Sequence, residues 1–502
     1  MSKFKKKIGD ALQSDRFSST ALTAFFLAIV VTLNVILYII VEFFGLYFYS
    51  TEKADLTLSG STDSLFASAI EEKKKVKISF CLPEEDLETH ATGNYVYQTA
   101  KYYEERYPEF IELDFINLIT RRNKNNELVD LSKYKTDMQG NETPIYRSSV
   151  IFECGNNYRV MSDTYSAAGF APFYTLNAEK VVTSYNGEEV IAAMISWVLS
   201  DDHKTAYFTQ YHGETAEISF SNLLVCAGYY VDVIDLRKNE VPSGTDLLIV
   251  SNPTSDFEAA REGSGLRTEI DRLKTYVEGG GNLYVALDPY VKTMPVLEGF
   301  LAEQGIKFSV TETESGTKIR NMIKDTRNAI TTDGFTLVTE FANNQTAKSI
   351  SDRVSGYSDG RVIVREASAL ELSGNAKPLL TASSASVLEA GGATVSRDGS
   401  YTVAAYSEIG NSKIFVVPSV FITASDSLIT SGYSNKDFLY SLFQDFFGAG
   451  DMPYGCKAVL YDTETLENLT MGTAKLYTAL IMLVPVAVAA VGAVIIVRRK
   501  NR

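Results

Sequence analysis

Two long apolar runs lie near the ends of the chain, and between them short apolar stretches alternate with polar ones. Residues 21–41 carry no charged side chain, and a helix of that length reaches roughly 31 Å, enough for a hydrocarbon core. With its flank this predicts a transmembrane helix over 21–44. Asn34 is the one strongly polar residue inside it, read either as a tolerated amide or as an intramembrane contact to a partner subunit. The residues that follow, 42–47, show no small-x-small cleavage site, so the run reads as an anchor and not as a signal peptide. The second run, 476–497, contains Pro485 and Gly492, both tolerated in membrane helices, and stops at Arg498, Arg499 and Lys500.

After a stalk over 45–75, the pattern predicts two α/β regions. In the first, 76–201, strands are expected at 76–80 and 111–116 and a helix at 95–107, with Val96, Ala100, Tyr103 and Tyr107 on one face. A hairpin is expected over 148–161, and then an amphipathic helix at 188–199 burying Val190, Ile191, Met194, Ile195 and Val198. That order is thioredoxin-like, without the redox motif, because Cys81 is followed by Leu82, Pro83 and Glu84. In the second region, 202–450, short apolar strands at 206–209, 230–236, 246–250 and 283–287 alternate with helices at 217–227, 266–277 and 295–304. Such alternation means parallel pairing buried on both faces, here a doubly wound, flavodoxin-like sheet. The Ser-, Thr- and Gly-rich stretch 311–411 reads as an insertion of loops and strands. A further central strand is expected at 413–417, a helix at 435–447 and a membrane-proximal linker at 451–475.

Charge orients the chain. Lys3, Lys5, Lys6, Lys7 and Arg16 precede the first run, and Arg498, Arg499, Lys500 and Arg502 follow the second. By the positive-inside rule both tails, 1–20 and 498–502, lie in the cytoplasm, and the bulk of the chain lies outside a plasma membrane whose lipid it contacts. The net charge is −15, which excludes a nucleic-acid binder, since phosphate binding needs clustered cations. Cys81, Cys154, Cys226 and Cys456 are too scattered for a zinc set or a disulfide framework and read as small buried hydrophobes.

Little in the chain resembles catalytic machinery, and nothing calls for a cofactor or metal. There is no phosphate-binding G-x-x-x-x-G-K-[ST]. The one G-x-S-x-G string, from Gly356 to Gly360, precedes a strand-like stretch and reads as a hairpin turn, not a nucleophile elbow. His90, in a polar loop, and His203, beside Asp201 and Asp202, read as solvated. His212, Gly213 and Glu214 form a loop after one expected strand, Asn252 and Pro253 after another, and Asp288 after a third. Loops at the carboxyl ends of parallel strands converge where such sheets bind ligands, so these six residues frame a candidate docking crevice. The plainer reading is ordinary turn chemistry.

With these residues in view, the chain resembles the gliding-motility-type (Gldg) auxiliary subunits of bacterial ABC transport systems over nearly its whole length. The resemblance rests on the N-terminal run followed by Ala54, Asp55, Leu56 and Thr57, the strand at 76–80, and the His212, Gly213, Glu214 loop. It rests also on 246–250 with Asn252 and Pro253, the helix–Gly-Gly–strand element 276–283 with Asp288 and Pro289, the stretch 378–381, and the C-terminal run with its Arg-Arg end. The chain departs from the family at Tyr211, where a Gly is usual, and at 418–421, where a Gly-Asp-Ser-like turn is common. The resemblance implies a non-catalytic accessory subunit partnered by a separate ABC permease and ATPase, with a middle region like the class I glutamine amidotransferase fold without its chemistry. Two other readings are a membrane-tethered hydrolase or amidotransferase-like enzyme using His212 and Glu214, and an anchored carbohydrate-binding module.

Overall fold

A computed structural model of the chain describes residues 58–59, 61–162, 170–176, 182–214, 218–261, 267–430 and 432–460. The runs at 21–41 and 476–497, both basic tails and Asn34 lie outside the described residues. Among the described residues no helix is long and apolar enough to cross a membrane. The chain divides into two units, Met1–Asp55 and Leu56–Arg502, and every described residue belongs to the second.

The first layer is built from α1 (Ser61–Glu71), β1 (Val76–Phe80), α2 (Gly93–Arg106), β2 (Ile111–Phe115), β3 (Val150–Cys154) and β4 (Asn157–Met161). Its sheet runs β2-β1-β3-β4, with β1 parallel to β2 and antiparallel to β3. Val96, Ala100 and Tyr103 on α2 are fully buried, as their spacing predicts. His90 is not merely solvated. Its Nδ1 accepts the Gly93 N–H at 3.0 Å, meeting one of the orphan donors of the first turn of α2.

Next comes α3 (Gly187–Leu199), expected to be amphipathic but buried almost all round, Ala192, Ala193 and Trp197 included. It packs on β3 and β4 on one side and on the first helix of the second layer on the other, so both faces need apolar cover.

The second layer comprises β5 (Lys204–Thr209), α4 (Ile218–Cys226), β6 (Tyr229–Ile234), β7 (Leu247–Ser251), α5 (Glu269–Glu278), β8 (Asn282–Ala286), α6 (Pro295–Glu303), β9 (Ile306–Phe308), β10 (Leu370–Leu372), β11 (Thr402–Ile409), β12 (Ser412–Val417) and α7 (Asn435–Ser441). The strand order is β9-β10-β11-β12-β8-β7-β5-β6. The portion β12-β8-β7-β5-β6 is parallel. All five side chains of β7 are buried. Alternate residues serve opposite faces: Leu247 and Ile249 join one apolar cluster, Leu248 and Val250 the other. The first cluster runs without a break from Phe66 and Phe80 in the first layer to Phe415 and Phe443 in the second.

Three expectations need correction. The sheet is mixed, not parallel throughout, because β11 pairs antiparallel with β12, and β9 and β10 extend that edge. The stretch 311–411 is therefore only partly an insertion. It supplies four of the ten main-sheet strands, β10 and β11 together with Glu340–Phe341 and Lys377–Thr381, and leads into β12 through the tight turn at Gly410. That stretch also contains a helix, Gln345–Ser355, with Ala347, Ile350 and Val354 buried and Asn344 accepting the Ala347 N–H at its start. Finally, α5 begins at Glu269 and not at 266, because Thr268 and Asp271 form a capping box.

Candidate functional site

At the carboxyl end of β5 the chain turns through Tyr211 (φ 83°) and Gly213 (φ 78°). Position 213 favours glycine on two counts: the dihedral is left-handed, and a Cβ would meet the Thr254 side chain, Oγ1, at 2.1 Å. The turn drives His212 inward, 4 % exposed, with its ring stacked on Phe257 at 4.2 Å and 6°.

Both ring nitrogens of His212 meet carboxylates. Nδ1 lies 2.9 Å from Glu214 Oε1, and Nε2 lies 3.0 Å from Glu269 Oε1. The remaining carboxylate oxygens accept backbone N–H groups, Glu214 Oε2 from His212 at 2.6 Å and Glu269 Oε2 from Glu258 at 2.7 Å. Donating on both sides requires the imidazolium form. Burial opposes that charge, but the bonds to Glu214 and Glu269 outweigh it and hold the imidazole pKa above its ordinary value. Burial likewise pushes Glu214 up, and its bonds to the His212 ring and to backbone N–H groups more than reverse this. The result is a sealed carboxylate–imidazolium–carboxylate row.

The loops converge as expected, and they do so by bonding to one another. His212 O accepts the N–H groups of Thr254 (2.8 Å) and Ser255 (3.0 Å), and Asn252, at φ 53°, donates its N–H to Ala286 O at 2.8 Å. Pro253 is buried beside them. Asp288 stands apart. Its Oδ1 accepts the Tyr290 N–H at 2.8 Å, and its carbonyl accepts from the buried Arg320, whose Nη2 also reaches Glu298 Oε1 at 2.7 Å. Five of the six crevice residues thus form one locked corner, and Asp288 belongs to a neighbouring one.

Glu269 and Phe257 were not foreseen. The one local signal was the Thr268–Asp271 capping box, which makes Glu269 the first residue of α5 and aims its side chain from a helix N-terminus. The row has little catalytic capacity. A histidine engaged on both nitrogens has no free lone pair to act as a base, and the carboxylates flank the ring on opposite sides. Among the described residues no group of three or more His, Cys, Asp or Glu could hold a metal ion.

The remaining candidates resolve simply. The G-x-S-x-G string closes the helix Gln345–Ser355 and precedes the strand Ile363–Arg365. Helix–turn–strand is the reverse of a nucleophile elbow, and also not the hairpin expected; Ser358 Oγ donates to Val354 O at 3.2 Å. Cys81, Cys154 and Cys226 are free thiols, and burial pushes the Cys81 thiol to about 12, so it is a poor nucleophile. His203 is half-buried, with both ring nitrogens covered. It stacks on Trp197 at 3.8 Å.

A second cluster joins the two ends of the described fold. Near its start, Ser59 N and Oγ each lie 2.6 Å from Glu188 Oε1. Near its end, Val459 pairs with Tyr185 and Leu460 with Ser184. Between them Lys436 Nζ reaches Glu189 Oε2 (3.1 Å) and Cys456 O (2.6 Å), and Tyr440 donates to Glu189 Oε1 at 2.5 Å. Burial would drive the proton off Lys436, but Glu189 more than compensates and its pKa is raised.

No protein-family model matches the chain, and no curated protein matches it. Among solved structures it is similar to the mmIFT52 N-terminal domain (17% identity, TM-score 0.36, covering 50% of this chain and 99% of that one). It is also similar to PurLQS from Thermotoga maritima (13%, TM-score 0.30, 49% and 99%) and to a ThuA-like protein from Bacteroides uniformis (13%, TM-score 0.29, 48% and 89%). At these scores the architecture stands on the strand order above: a mixed α/β fold with a parallel sheet portion.

Proposed function

We propose that the chain is a non-catalytic accessory membrane subunit. Two helices, 21–44 and 476–497, anchor it in the plasma membrane with both termini cytoplasmic. A thioredoxin-like first layer and a flavodoxin-like, amidotransferase-related second layer stand outside. It works beside a separate ABC permease and ATPase, as the Gldg resemblance implies.

One observation carries this reading. Ser59 and the Val459–Leu460 strand are held within the same six residues, 184–189, so the chain arrives at and leaves the fold side by side. Two adjacent exits are what a two-helix anchor on one membrane face requires. The buried Glu189–Lys436 pair stiffens that base. The non-catalytic part is supported by the double engagement of His212, which disfavours the hydrolase alternative.

The test is purification of the tagged full-length chain from membranes in mild detergent. An ATPase and a multi-span permease are expected in near-stoichiometric amounts. Repeated isolation of the chain without either would overturn the proposal.

A further inference from the structure

Four side chains meet where the two layers join: Arg159 on β4, Trp197 on α3, His203 just before β5, and Tyr230 on β6. The His203 ring lies parallel to the Trp197 indole at 3.8 Å and 11°, and edge-on to Tyr230 at 6.2 Å and 87°. The Arg159 guanidinium lies over Trp197 at 5.0 Å and over Tyr230 at 5.2 Å. Its Nη2 donates to Tyr229 O at 3.2 Å and so ties β4 to β6. The short segment 200–203, which carries His203, is the covalent link from α3 to β5.

This stack suits only a neutral imidazole. Both ring nitrogens of His203 are buried without a hydrogen-bond partner, and so is Nη1 of Arg159. Protonation would add a second unpaired N–H, and a charge beside a guanidinium, where the nitrogens are out of reach of water. Burial, then the positive charge of Arg159, accordingly holds the imidazole below its ordinary pKa, and Asp201 and Asp202 pull the other way without reversing this. Burial lowers the Arg159 pKa as well, against the pull of Tyr230, Cys226 and Asp137, but a guanidinium stays charged. Tyr230 stays neutral, because burial pushes its phenol up to about 12. The other ions around the joint are already engaged. Lys204 pairs with Asp202 at 3.1 Å and Asp246 at 3.5 Å, Lys74 pairs with Glu72 at 3.0 Å, and Asp451 accepts from Gln444 at 3.2 Å.

We propose that the His203 stack is an acid-released latch: protonation drives the ring away from Trp197 and loosens the joint between the two layers. Once in water the ring titrates near 6.5, so the latch stays closed above that pH. Below it, the open form takes up the proton that the stacked form excludes. Each further pH unit then favours the open form by up to about tenfold, until the pH passes the depressed value of the stacked ring. His212 cannot supply the same response, because its pKa is raised and it keeps its proton throughout this window.

Trp197 is the only tryptophan in the chain and is 3 % exposed, so acrylamide quenching of its emission reads the latch directly. The full-length protein in mild detergent is measured from about pH 8 to about pH 5, with far-ultraviolet circular dichroism to register global unfolding. A reversible rise of about threefold or more in the quenching constant is expected below roughly pH 6.5, with unchanged dichroism. His203→Phe keeps a stacked ring that cannot titrate, and is expected to hold the low quenching of neutral pH throughout. Arg159→Met removes the charge that opposes protonation, and is expected to give a smaller acid rise. A flat profile in the wild-type protein, a rise that comes only with loss of the dichroism, or a rise that persists in His203→Phe overturns the proposal. Should His203→Phe not fold, an undiminished rise in Arg159→Met overturns it equally.

Discussion

His212 Nε2 and Glu269 Oε1 lie 3.0 Å apart although 57 positions separate the residues, and this bond ties the turn after β5 to the first residue of α5. With Glu214 on the other ring nitrogen, the histidine works as a charged pin between two loops.

Glu269→Gln should therefore destabilise the fold by about 1–3 kcal/mol at neutral pH, because a buried cation loses one of its two anions. The pH dependence follows from the directions of the shifts. The folded His212 pKa is raised, so its contribution is complete below the unfolded value of 6.5 and is lost as pH climbs through the raised value. The folded Glu214 pKa is lowered, so its contribution is present above 4.5 and is lost as pH falls through the lowered value. Denaturant midpoints across pH should show the variant's alkaline decline starting at lower pH than the wild type's. Superimposable alkaline limbs would argue against the pin.

Gly213→Ala should cost about 1–2 kcal/mol from the left-handed dihedral alone, plus the displacement of the Thr254 side chain. Thr254→Ala in the same chain should recover part of the loss, since it removes the hydroxyl a Cβ would strike at 2.1 Å. Urea titration of both variants checks this; additive losses would mean that the close approach contributes nothing.

At the base of the fold, Lys436→Met should destabilise by about 3–5 kcal/mol, because it strands the buried Glu189 carboxylate. Adding Glu189→Gln should restore much of that stability. A double variant as weak as the sum of the two singles would show that the pair is not coupled.

Alkaline carbonate should leave the full-length chain in the membrane pellet, and protease added to intact cells should remove its middle while sparing short terminal fragments. Release into the carbonate supernatant would be incompatible with two spanning helices.

Much of the architecture was legible in advance, and the legible parts share a cause. Leu247 to Val250 is an unbroken apolar run, and only a strand covered on both faces uses one. The donor-bearing turns at Gly213 and Gly280 follow from the same kind of local requirement, a backbone that only glycine adopts easily. The helix Gln345–Ser355 was missed because a Ser- and Thr-rich composition masked the spacing of Ala347, Ile350 and Val354.

Side-chain periodicity is a property of neighbours along the chain, so the amino-acid order was enough to specify the strands of the first sheet, the central strands β5, β6, β7, β8 and β12, most of the longer helices, and the parallel pairing of those central strands, but not their order. Which distant groups meet is settled by how the layers stack. That is why Glu269 finds His212 and why Ser59 and Leu460 reach the same six residues. Each of those pairings brings together groups distant in sequence or on separate elements, where burial and charge choose the partner and no local pattern records the choice.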